Sequence, residues 1–216
     1  MNHVEYASKF YEKLFIEHGP TAKGVGWNSN LAQNLRYMKL LQGLDKKNEI
    51  DVLDFGCGWG IGFEILRSED YRVKSYLGVD VNSTVIDYAS SRYSGESTAN
   101  FELLTDKNSS TILRREHFDL VLASGVFNIR FNEAIDMWYE YVKEQTKFLF
   151  SLTKSTLAIN FLSSISDKEK QRDDHFYCDP SEYLKFLLQE VSDKVSLIHD
   201  YGMWDFCVIV KRDSND

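Results

Sequence analysis

Three cysteines, Cys57, Cys178 and Cys207, are all the chain has, and no two lie close in sequence. That excludes a disulfide-dense secreted scaffold and a zinc-finger spacing, and it fits a reducing compartment. Long apolar runs are missing as well. The richest stretch, Phe148 to Leu162, is broken by Lys154 and several hydroxyl residues, well short of the roughly 20 apolar residues that span a bilayer. The first residues, Met-Asn-His-Val-Glu-Tyr, have neither a basic start nor an apolar run, so no signal peptide is expected. Positive charge is in deficit, with 25 Lys and Arg against 33 Asp and Glu, a net charge of -8. An acidic surface disfavours tight, nonspecific contact with nucleic acid or anionic membrane. The five histidines, at positions 3, 18, 117, 175 and 199, show no ligand spacing, and no metal is expected. The expectation from these absences is a cytoplasmic protein that binds no nucleic acid and no membrane.

What the chain does have suits a single domain over 1–216, since 216 residues with 43% hydrophobic and 14% aromatic content can pack one core. Its most informative stretch is Asp51 to Gly62, Asp-Val-Leu-Asp-Phe-Gly-Cys-Gly-Trp-Gly-Ile-Gly. It reads as a buried strand, Ile50 to Phe55, running through a glycine-rich turn into a helix. Glycine has no side chain to fend off a ligand, and the amides that open the next helix face whatever lies over the turn. Asp54 sits inside the strand end, where a carboxylate is costly to bury unless hydrogen-bonded. Asp80 closes a second apolar strand, Tyr76 to Val79, 20 residues past Gly60. An acid there is placed to grip a ribose diol.

Leu53-Asp54-Phe55-Gly56-Cys57-Gly58-Trp59-Gly60 resembles motif I of the class I S-adenosylmethionine-dependent methyltransferases, and Leu77-Gly78-Val79-Asp80 resembles that family's second motif. The resemblance runs from Ile50 to the C-terminus. It implies an α/β, Rossmann-like sheet of seven strands in the order 3-2-1-4-5-7-6, with strand 7 antiparallel and helices on both faces. It also implies S-adenosylmethionine as cofactor, with Asp54, Gly56, Cys57, Gly58, Gly60, Asp80 and Val81 around it. Asn100 to Thr105 reads as strand three and is followed by Asp106. The family often places an acid there to accept from the adenine amino group; an exposed turn aspartate is the plain alternative. Phe118 to Ser124 reads as a central parallel strand. By the crevice rule its tip borders the ligand, which makes Ser124, Gly125 and Asn128 site candidates, although Asn128 also suits a simple N-cap. The last strands, Val195 to Ile198 and Phe206 to Val210, are joined too closely for a crossover and form an antiparallel pair. That ending, and Gly-x-Gly-x-Gly in place of Gly-x-Gly-x-x-Gly, speak against a nicotinamide-dependent oxidoreductase.

Residues 1–48 form an N-terminal segment ahead of the core at 49–216. Tyr6, Phe10, Leu14 and Phe15 keep helical spacing, and so do Leu31, Leu35, Met38 and Leu41 after a glycine-rich loop that carries Trp27. This is either an ordinary helical hairpin or a helical cap over the cofactor with Trp27 at the site. His18-Gly-Pro-Thr, Gly24-Val25, Trp27-Asn28, Gln33 and Leu35-Arg36 resemble the start of a group of small bacterial methyltransferases. That group commonly carries an acid before the tryptophan, where this chain has Gly26.

Methyl transfer from an activated sulfonium asks mainly for positioning, with a general base only where the acceptor must lose a proton. His175, His199 and Asp200 are candidate bases, and Tyr177 a candidate for orienting the acceptor. Each has a structural alternative in a loop or strand end, as does His18 at a helix end. Strand four does not end in the Asn/Asp-Pro-Pro-Tyr pattern of amine and amide methylators, there is no Pro-Cys pair for cytosine-carbon chemistry, and the length leaves no room for an appended nucleic-acid module. The expected reaction is O-methylation of a small molecule by a monomer or homodimer. A protein that binds S-adenosylmethionine without turnover would carry the same glycines and Asp80.

Overall fold

Short apolar runs alternate with segments of helical spacing, and the fold that results is a parallel sheet wrapped by helices. The computed structural model describes residues 3–105 and 117–212. Strands β1 (Glu49–Phe55), β2 (Arg72–Asp80), β3 (Ala99–Leu103), β4 (Phe118–Ala123) and β5 (Thr153–Ser163) pair in parallel. A two-residue strand β6 (Tyr177–Cys178) precedes β7 (Val195–Ile198) and β8 (Asp205–Lys211). The sheet runs β3-β2-β1-β4-β5-β8-β7, with β8 antiparallel to both neighbours. This is the expected seven-strand order, with β6 added. β8 occupies one edge of β5 as far as Leu162, so β6, paired to Leu162 and Ser163, lies on the other edge, past the tip of β4.

Alternation along the strands divides the core in two. Val52, Leu120, Leu122 and Ala158 face helices α2 (Asn30–Leu40), α3 (Ile61–Ser68) and α4 (Ser83–Arg92). Leu53, Val121, Leu157 and Ile159 face the opposite layer, where Trp138, Val142 and Leu149 of α5 (Ile135–Ser151) pack with Tyr183 and Leu187 of α6 (Pro180–Glu190). Caps appear where small polar residues precede a helix. Ser29 Oγ accepts from the Ala32 N–H at 3.1 Å, Asn82 Oδ1 from Thr84 at 2.9 Å, and Asp179 Oδ1 from Ser181 at 2.8 Å.

One expected face is turned. In α2, Leu31 and Met38 point outward, at 80% and 39% exposure, while Gln33, Arg36, Tyr37 and Leu40 are buried. The helix lies at the end of the sheet where polar partners wait, so its inner face is polar: Arg36 meets Asp205, and Tyr37 meets Asp54. Ile135, the first residue of α5, is also exposed. Helix α1 (His3–His18) buries Phe15 and leaves Tyr6 exposed.

Candidate functional site

The glycine turn after β1 is tied to β2 from two sides. Gly56 and Cys57 donate to the Val79 carbonyl at 2.8 and 3.1 Å. The Asp80 carboxylate accepts from the Gly58 N–H at 3.0 Å through one oxygen and from the Asn82 N–H at 3.0 Å through the other. Gly58 has φ +54°, and a Cβ there would stand 3.0 Å from Val25 of the N-terminal segment. Burial raises the Asp80 carboxyl above the usual range, and the Asn82 and Gly58 amides pull it back in part. A cavity opens over this turn, lined on the core side by Gly56, Gly58 and Asp80 and on the other by Ala7, Tyr11 and Tyr37. Cys57, Val81 and Ser124 line it too, and Trp59 Nε1 is a buried donor on this wall with no acceptor among the described residues. Burial, then Asp80 and Asp54, push the Cys57 thiol well up, so it is no thiolate nucleophile.

A second cavity, about 480 Å³, lies beside the first. Tyr11, Val25, Trp27 and Gly125 line both. Gly125, at φ +75°, has its open face filled by the Trp27 ring, so any Cβ would collide with the indole. Its N–H is fixed by Asn160 Oδ1 at 2.7 Å. The indole in turn lies under the Arg36 guanidinium, 4.2 Å from the ring centre, and Arg36 is paired to buried Asp205.

The far wall of the second cavity comes from the chain ahead of β6, and backbone bonds bring it there. Arg130 N–H donates to the Asp174 carbonyl at 3.1 Å, Phe176 N–H to the Asn128 carbonyl at 2.9 Å, and Ile129 bridges His175. The segment that follows β4 thus holds His175 beside the β4 tip. His175 Nδ1 is 2.7 Å from Asp174 Oδ1, and Asp174 is also gripped by Arg172 at 2.9 and 3.1 Å. Burial raises the Asp174 carboxyl, but the Arg172 and His175 contacts outweigh it and hold the group below its ordinary value. His175, Tyr177, Asn128 and Arg36 line this cavity.

The geometry has counterparts among known proteins. A methyltransferase domain family model matches residues 52–147. A Mycobacterium tuberculosis protein named "Putative methyltransferase Rv1506c" is 30% identical over 163 residues, covering 76% of this chain and 93% of that protein. The chain belongs to the class I S-adenosylmethionine-dependent methyltransferases.

Among solved structures, the N-methyltransferase NodS of Bradyrhizobium japonicum WM9, in complex with S-adenosylhomocysteine, is similar with a TM-score of 0.63 at 15% identity, covering 95% of this chain and 96% of that one. Phosphoethanolamine N-methyltransferase 1 of Haemonchus contortus matches with a TM-score of 0.64 at 14% identity over 99% of this chain, which spans 50% of that longer protein. These likenesses establish the methyltransferase fold, and S-adenosylmethionine is the family's cofactor.

Within this methyltransferase, the residues expected around the cofactor are distributed unevenly. Gly56, Cys57, Gly58, Asp80, Val81, Ser124, Gly125 and Trp27 line the first cavity. Gly60 lies behind it against Tyr93 and Phe101. Asp54 is also behind the wall, fully buried, where Tyr76 donates to it at 2.6 Å and Tyr37 at 3.4 Å. Asp106 lies outside the described residues. Of the candidate bases, His175 lines the second cavity, with Tyr177 next to it. His199 lines neither cavity; its Nε2 meets Ser163 Oγ at 3.1 Å and its ring stacks on Phe206. Asp200 is exposed and paired to Lys39 at 2.8 Å. Asp174 and Trp204 were not singled out by sequence, and the only signal for Asp174 was its position next to a histidine. Among the described residues there is no group of three potential metal ligands, and no helix is long and apolar enough to cross a membrane.

Proposed function

We propose that this methyltransferase carries out O-methylation of a small molecule held in the second cavity, with His175 as general base. The observation that carries the reading is the Asp174–His175 pair. With Nδ1–H donating to Asp174 at 2.7 Å, the ring is held in the tautomer that leaves Nε2 as an acceptor, on a residue that lines the cavity.

The first cavity suits the cofactor. Asp80 offers a carboxylate at the end of β2, Gly58 lines the wall with bare backbone in a left-handed turn, and Trp59 brings an unmatched buried donor. Asp80 would hold the ribose, and Gly56, Gly58, Ser124 and Gly125 would take the remaining contacts, with Val81 against the base. When bound, S-adenosylmethionine supplies an activated methyl group for direct displacement and leaves as S-adenosylhomocysteine. Trp27 and Gly125, shared by both cavities, set the boundary across which acceptor and donor meet, and good alignment contributes about 7–11 kcal/mol. His175 Nε2 takes the hydroxyl proton as the O–C bond forms, and the Asp174 carboxylate steadies the resulting imidazolium; such a base adds about 10²–10⁴-fold. The N-terminal helices act as the cap that excludes water from both cavities.

The test is to incubate the protein with ¹³C-methyl S-adenosylmethionine and a small-molecule extract, then read the product by carbon NMR. A methoxy carbon is the expected result. An N-methyl or C-methyl carbon would overturn the O-methylation reading.

A further inference from the structure

We infer that the acceptor is a neutral glycosyl unit, a pyranose ring that stacks on Trp204 and is held at its oxygens by Arg36 and Asn128. The inference rests on the methyltransferase reading above and names the substrate class of its second cavity.

Three cations line the second cavity, and each already has its carboxylate: Arg36 with Asp205, Lys170 with Asp167 at 3.5 Å, and Arg172 with Asp174 at 2.9 Å. A phosphate or carboxylate on the acceptor has to compete with these carboxylates for each cation. An ammonium group finds no free carboxylate among them. Charge pairing of this kind leaves a wall that is polar and close to neutral on a protein of net charge -8.

Arg36 is 7% exposed and Asn128 6%. Arg36 spends Nε on Asp205 and Nη1 on the Ala32 carbonyl at 3.0 Å. Asn128 spends Oδ1 on the Leu162 N–H at 3.2 Å. Arg36 Nη2 and Asn128 Nδ2 have no acceptor among the described residues, and both side chains line the cavity. Neither atom is among the fully buried unpaired ones, so both donors open onto the cavity and are free to meet ligand oxygens. With His175 Nε2 as acceptor, these two donors match several hydroxyls on one ring.

The connector between β7 and β8 presents Trp204, 52% exposed, beside the cavity. The loop is pinned, since the Trp204 carbonyl accepts from the Ser163 N–H at 3.0 Å. His175 and Tyr177 also line the cavity, as a near-parallel ring pair. A half-exposed indole takes up flat apolar surface at small entropic cost, and the C–H face of a pyranose is such a surface.

The experiment uses the full chain loaded with S-adenosylhomocysteine, with loading confirmed by calorimetry. Saturation-transfer NMR is run with methyl α-D-glucopyranoside, methyl α-D-mannopyranoside and methyl α-L-rhamnopyranoside, with glucose 6-phosphate and catechol as comparisons. A neutral trisaccharide beside the monosaccharides separates a free sugar from the end of a chain. Transfer to ring protons of at least one neutral saccharide is expected, with loss in Trp204→Ala and Asn128→Ala while S-adenosylhomocysteine still binds. No transfer from any neutral saccharide, or a clear preference for the phosphate or the phenol, overturns the inference and leaves the methyltransferase reading standing. Failure to bind S-adenosylhomocysteine would count against that reading itself, and this inference would fall with it.

Discussion

The two cavities are neighbours with four residues in common, yet they are built by different means. The first rests on backbone: a glycine turn tied to the Val79 carbonyl and to the Asp80 carboxylate. The second rests on side chains from distant segments, namely Arg36 in α2, Asn128 after β4, His175 ahead of β6 and Trp204 between β7 and β8. A backbone cradle is set by a contiguous run of glycines and tolerates wide change elsewhere. A side-chain cavity is reset by one substitution in any of four places. The cofactor is therefore common to a family, and the acceptor belongs to the individual chain.

The sharpest way to break this contrast is at His175. His175→Gln is expected to lower kcat by about 10²–10⁴-fold while binding of S-adenosylhomocysteine stays as it is. A loss of cofactor affinity in that variant would mean that the two cavities are one functional unit. A kcat near wild type would remove the base.

A smaller effect is expected behind the cofactor turn, in stability and not in turnover. Burial raises the Asp54 carboxyl to about 7, with the Tyr76 and Tyr37 hydroxyls pulling against it and Asp80 adding to it. Its folded value lies above its unfolded one, so between about pH 4 and pH 7 the native state holds the proton more tightly than the unfolded chain. This group's contribution to stability is therefore greatest at the acid end and declines as pH rises to about 7, by an amount on the order of a few kcal/mol. Asp54→Asn removes the titration and keeps an acceptor for the tyrosines. Thermal unfolding should show the variant gaining on wild type from pH 5 to pH 8. A constant difference across that range would mean that Asp54 is not the titrating group.

What the sequence made legible follows the same division. The glycine turn and the closing antiparallel pair could be read because both depend on local pattern, alternate glycines in one and a joint too short for a crossover in the other, whereas the full strand order came from the family resemblance those motifs carry. Asp80 was legible for the same reason, since it ends a strand at a fixed place. The face of α2 was not. Leu31, Leu35, Met38 and Leu41 make a plausible apolar stripe, but Tyr37 and Arg36 point inward because Asp54 and Asp205 await them, and those partners are far off in sequence. His175 was one base candidate among several until the Ile129 bridge set it on the cavity wall. β6 was invisible because two residues carry no periodicity.

Asp80→Ala tests the backbone cradle directly. It takes a carboxylate away from the Gly58 and Asn82 amides and, on the proposed reading, from the cofactor ribose. Hydrogen bonds to a charged group are worth about 1.5–3 kcal/mol, so affinity for S-adenosylhomocysteine should fall by about 10–100-fold, read by calorimetry. The second cavity shares no wall with Asp80, so the acceptor contacts should be unaffected. If Asp80→Ala binds as tightly as wild type, the ribose role goes to another group.

The smallest effect is expected at His199, and it sharpens the comparison because His199 and His175 look alike in sequence. Both are histidines beside an aspartate, close to a strand. In the fold, His175 lines the second cavity, whereas His199 Nε2 meets Ser163 Oγ at 3.1 Å and its ring lies nearly parallel to Phe206. Ser163 in turn holds the first turn after β5, accepting from the Ile165 N–H at 3.3 Å. His199→Ala should therefore cost about 1 kcal/mol of stability from the lost hydrogen bond, with kcat and cofactor affinity close to wild type. Thermal melts beside steady-state kinetics separate the two. A large fall in kcat without a matching loss of stability would move His199 into the reaction and erase the difference between the two histidines.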